Sequence, residues 1–90
     1  MSLDLVTEED LDRIFFLVDI ENRPDREPVS VRNATDAEFR NWIVAFGAYH
    51  KVQILPVMGR IGMETRVAML NRLVRNGVRI ARQTAGSRQA

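Results

Sequence analysis

The chain has no cysteine in its 90 residues, so neither a disulfide nor a thiolate metal clip supports the fold. Histidine occurs once, at His50, which excludes a His-rich metal site and any histidine dyad. No apolar run approaches the roughly 20 residues of a membrane-spanning helix, and the N-terminus lacks the basic-then-apolar profile of a secretion signal. Together these absences lead to the expectation of a soluble, cytoplasmic chain with no membrane partner. Ninety residues allow one domain with a modest core.

Charge is present in quantity but unevenly spread. Residues 1–38 hold eleven acids and four arginines, net −7, whereas residues 39–90 hold one acid, Glu64, against eight arginines and Lys51, net +8. The split predicts either an anionic partner for the second half or the two halves facing each other, within one molecule or between molecules. Twelve arginines to a single lysine suits phosphate recognition, since guanidinium matches phosphate better than ammonium does. A codon bias of the genome would give the same ratio.

Hydrophobic patterning organises the chain around residues 13–20. Thr7-Glu8-Glu9-Asp10 is a helix start that predicts one or two turns. Residues 14–18 and Ile20 then form a nearly unbroken apolar run, which reads as a buried strand of a parallel sheet. Residues 23–35 read as loop with a brief Val29/Val31 alternation. Thr35-Asp36-Ala37-Glu38 is a capping box. Residues 41–48 are a second apolar run closed by Gly47; Phe39, Trp42, Ile43 and Phe46 also have the spacing of a single helix from Asp36, and the strand is the preferred reading. Residues 52–62 contain Pro56, Gly59 and Gly62 and have no clear period. Residues 63–76 are an amphipathic helix with Met63, Val67, Leu70 and Val74 as its stripe, ended by Asn76-Gly77. Residues 78–82 alternate as a third strand, and 84–90 read as a flexible tail.

Asp19-Ile20-Glu21-Asn22 at the end of the first run resembles the opening of the NYN branch of the PIN-like nucleases, where a strand ends in Asp-x-Glu-Asn. The run closing on Phe46-Gly47-Ala48 is similar to the end of that family's second strand. The resemblance implies an α/β fold: a three-layer, Rossmann-like parallel sheet of about three strands flanked by helices. It also implies a metal-dependent endoribonuclease. Asp19 and Glu21 would hold Mg²⁺ or Mn²⁺, and Asp19 with Asn22 would form the catalytic set. Similar proteins continue past the third strand into Ala-Leu-Asp, whose Asp completes the acidic site, while this chain reaches Ala85-Gly86-Ser87-Arg88-Gln89-Ala90. The resemblance therefore covers about the first half of the family's domain, so a partial domain with weak activity is expected. In the family's strand order, 3-2-1-4-5, that partial domain leaves the strand at 14–20 as an edge. A long apolar edge seeks a partner, which implies a homo-oligomer.

A second reading, from a different functional class, is a non-catalytic module that binds RNA or a protein through His50, Lys51, Arg60, Arg66, Arg72, Arg75, Arg79 and Arg82. A solvated helix face is the competing explanation for these cations. Gly59-Arg60-Ile61-Gly62 has the form of a phosphate-clamping loop, a four-residue pattern that arises mostly by chance.

Overall fold

A computed structural model describes residues 4–18 and 27–83. A 3-10 helix (Glu8–Asp12) leads into β1 (Phe15–Leu17), which pairs antiparallel with β2 (Pro28–Ser30); α1 (Asp36–Tyr49) and α2 (Met63–Arg75) follow, joined by an irregular connection. The expected short helix feeding a strand is present. The expected sheet is not: the described residues form a two-stranded antiparallel sheet instead of a three-stranded parallel Rossmann-like one. Leu17, expected in the core, is 64% exposed.

The second apolar run explains the difference. Thr35 and Glu38 close a reciprocal capping box, with the Glu38 amide donating to Thr35 Oγ1 at 3.1 Å and the Thr35 amide to Glu38 Oε1 at 2.8 Å. From that start one helix runs through residues 41–48, burying Phe39, Ile43 and Gly47 at intervals of four. Gly47 is a point of close approach rather than a stop: a Cβ there would lie 2.7 Å from the Val52 carbonyl oxygen and 2.8 Å from Ile54. Residues 78–83 form no strand. Even so, the Gln83 amide donates to the Arg13 carbonyl at 2.8 Å, so this segment reaches the chain just before β1. The edge expected at residues 14–20 belonged to a parallel sheet that the described residues do not form; β1 is paired along one side with β2.

α1 and α2 run in the same direction. Asp36 at the start of α1 pairs with Arg66 near the start of α2, and Gly47 near the end of α1 faces Leu73 near the end of α2. The connection between them returns along α1, anchored at three points. The Val52 amide donates to the Gly47 carbonyl, Arg40 donates to the carbonyls of Val57 and Gly59, and the Ile61 amide meets the Asp36 carboxylate.

Arg66 holds this arrangement together from inside. Only 3% of it is exposed, and it donates to the carbonyls of Ile61 (3.1 Å), Val31 (2.6 Å) and Ala34 (2.8 Å) and to Asp36 Oδ1 (2.8 Å). The guanidinium also lies over the Phe39 ring, 5.2 Å from its centroid. Replacing Arg66 by Met strips the donors from three carbonyls and a carboxylate at once. A buried carbonyl left without its donor typically costs about 1–3 kcal/mol, and Arg66→Met is expected to lower the urea midpoint accordingly.

Two carboxyls are tuned by this framework. Burial pushes Asp10 up, but hydrogen bonds from the Thr7 amide, Arg13 and the Thr7 hydroxyl, with the Arg82 charge nearby, outweigh it and hold Asp10 below its ordinary value. The Ile61 amide, followed by the hydrogen bond and charge of Arg66, overcomes burial to lower Asp36 as well. A depressed carboxyl contributes stability that is fully present above its unfolded pKa, about 3.9 for Asp, and is lost as pH falls through the folded value. Denaturation midpoints should thus drop below about pH 4. Asp10→Asn should begin less stable at neutral pH and lose less on acidification.

Candidate nucleic-acid interface

Both helices end in the same stop. In α2 the Gly77 amide donates to the Val74 carbonyl and the Val78 amide to the Leu73 carbonyl; in α1 the Lys51 amide donates to Ala48 and the Val52 amide to Gly47. This double bond pattern places the residue after the cap in the left-handed region. Gly77 takes it with φ of +89°, where glycine is at ease. At the equivalent position α1 has Lys51, with φ of +62°, among the described residues the only non-glycine at positive φ. For a residue with a Cβ that conformation costs roughly 1–2 kcal/mol.

Because the helices are co-directional, their ends come to one pole of the molecule. Lys51 lies there, as do Arg72 and Arg75, which are exposed on the last turns of α2, and exposed Arg79, one residue past buried Val78. None of these four cations pairs with a carboxylate among the described residues. The only acid of α2, Glu64, is at its opposite end. Arg72 and Arg75 also complement the negative end of the α2 dipole, which is reason enough for a helix to carry them.

The other expected binding residues are elsewhere or otherwise engaged. Arg66 is buried and structural, because its place one turn into α2 faces the carbonyls of residues 31–34. Arg82 binds the N-terminal segment, 3.0 Å from Asp4 Oδ2 and 3.6 Å from Asp10 Oδ2. Arg60 is exposed at the far end of the long connection, where its charge acts on Asp36. The acid-rich and base-rich halves therefore do face each other within the molecule, through Arg66–Asp36 and Arg82–Asp4/Asp10. What remains unpaired at the pole is the excess.

His50 is exposed and forms the end of an aromatic ladder. Phe16 stacks on Trp42 with centroids 4.5 Å apart, Trp42 on Phe46 at 5.0 Å, and Phe46 meets His50 edge-on at 4.6 Å. Trp42, Phe46 and His50 fall at intervals of four along α1, so helical spacing builds the ladder. Trp42 is committed to these stacks and leaves no free face for a nucleobase. Tyr49 differs: it is 81% exposed, and its recorded ring contact is a perpendicular one with His50 at 5.0 Å. Sequence alone does not single out Tyr49, because residues 41–48 read as a strand, which leaves no helix end there to gather cations.

An apolar groove of about 460 Å³ opens on another flank of α1, lined by Phe16, Leu17, Val18, Ala37, Glu38, Asn41, Trp42 and Ala45. Asp19, Glu21 and Asn22, the expected metal-binding and catalytic residues, lie outside the described residues. Their expected place was the end of a strand in a parallel sheet, and the described residues form no parallel sheet. Among the described residues no group of three or more His, Cys, Asp or Glu side chains gathers around a possible Mg²⁺ or Mn²⁺ position. No described helix is long and apolar enough to cross a membrane. Compared with known proteins, the chain matches no family model, no curated protein and no solved structure.

Proposed function

We propose that the chain is a non-catalytic module that binds single-stranded nucleic acid, RNA or DNA, across the pole where both helices end. Lys51, Arg72, Arg75 and Arg79 neutralise successive phosphates, and Tyr49, propped by the edge of His50, offers its ring to one base. A basic track with an exposed aromatic is the usual means of holding a single strand without reading its sequence. The observation that carries this reading is Lys51: a strained lysine occupies the position that glycine fills in α2, and its charge adds to an unpaired cluster. Strain of this kind collects at functional sites.

Lys51 separates binding from folding. Lys51→Gly relieves the left-handed strain, so its denaturation midpoint should rise while affinity for a labelled single-stranded oligonucleotide falls. Anisotropy titrations at several salt concentrations measure the second effect. Four phosphate contacts predict a slope of log K against log salt of about −2.8, at about 0.7 per contact for single strands. Arg72→Gln with Arg75→Gln should make that slope shallower by about 1.4. Tyr49→Ala should weaken binding by about 1–3 kcal/mol with the slope unchanged. Matched oligo-U and oligo-dT probes distinguish RNA from DNA. Absence of binding to both at low salt, or equal binding by Lys51→Gly, would overturn the proposal.

A further inference from the structure

Two apolar features without a partner among the described residues lie on different sides of α1. One is the groove described above, where Leu17 is 64% exposed. The other is a protrusion in the long connection, where Leu55 is 73% exposed and Met58 77%. The protrusion is braced. Arg40 donates to the carbonyls on either side of Met58, at 2.8 Å to Val57 and 2.7 Å to Gly59, and Pro56 and left-handed Gly59 set the chain path. A braced loop loses little entropy on docking.

We infer that the groove receives the Leu55–Met58 loop of a second copy of this chain, joining copies head to tail. Charge favours this occupant. Among the described residues Glu38 lines the groove and no cation does, and Glu27, exposed, adjoins Pro28, the register partner of Leu17. The loop belongs to a stretch, residues 39–63, that contains no carboxylate, and Arg60 follows two positions after Met58. Geometry sets the mode. Arg40, which marks the loop side of α1, is on average about 120° around the helix from the five α1 residues that line the groove, at 3.6 residues per turn. A molecule therefore cannot fill its own groove with its own loop. Each copy presents one knob and one groove on different faces, the condition for a heterologous contact that propagates or closes into a ring. Small interfaces of this kind are transient, so assembly should depend on concentration. None of these residues overlaps the basic pole, so the inference stands or falls independently of nucleic-acid binding.

Sedimentation velocity on the full chain, with and without paired variants, tests it. The wild type should form species that grow with concentration. A knob variant, Leu55→Glu with Met58→Glu, and a groove variant, Leu17→Glu with Ala45→Glu, should each be monomeric. An equimolar mixture should give a one-to-one heterodimer and nothing larger, because one intact knob and one intact groove remain. All four positions are exposed, and cooperative melting of each variant verifies folding. Should the groove pair fail that check, Asn41→Glu on the exposed face of α1 replaces it. A wild type that is monomeric throughout, variants that associate like the wild type, or folded variants whose mixture stays monomeric would each overturn the inference.

Discussion

One buried guanidinium sets the geometry on which the remaining structure depends. Arg66 is placed by its own helix, yet its donors are used by the turn after β2, the first residue of α1 and the end of the long connection. Two of those segments have carbonyls on buried residues that would otherwise lack donors. Their convergence on one side chain fixes the start of α1 against the start of α2, and the Gly47–Leu73 approach fixes the other end. The helices must then run together, and their C-terminal ends share a pole.

A similar economy ties the N-terminal segment to α2. The Asn71 side chain accepts from the Val6 amide at 2.6 Å and donates to the Val6 carbonyl at 2.9 Å, acting as a one-residue strand partner inside the core. Asp10 closes the 3-10 turn through the Thr7 amide and also faces Arg13 and Arg82. Polar groups inside this small protein are thus used as connectors between segments that have few regular backbone ladders of their own. The two strands contribute only three residue pairs. Cohesion must therefore come from the apolar cluster and from these connectors.

The distribution of charge follows from the same packing. Acids of the first half are drawn to Arg66 and Arg82, which removes those two arginines from any outside partner. Cations on the outer face of α2 and at the two helix stops have no carboxylate partner among the described residues, and they stay together because the stops do. The cationic pole is therefore a by-product of helix direction, which Arg66 and the Gly47–Leu73 approach set together.

Local signals were readable from residues alone where the deciding interactions are local. The capping box at Thr35, the stripe of α2, the Asn76-Gly77 stop and the short helix feeding a strand all involve partners within a few positions. The imbalance between the halves was equally plain, as was the list of cations that could express it. Residues 41–48 were not decided locally, since Trp42, Ile43 and Phe46 suit a helix or a strand; only packing of Phe39, Ile43 and Gly47 against the core selects the helix. With that choice the parallel sheet disappears, and so does the frame in which Asp19-Ile20-Glu21-Asn22 resembled a nuclease strand end. Sequence could name Arg66 and Arg72 as equivalent cations on one helix. Only the tertiary structure buries the first and leaves the second at the pole, because two of the three carbonyls that Arg66 binds, those of Val31 and Ala34, come from residues more than thirty positions away, and separations of that size leave no local trace.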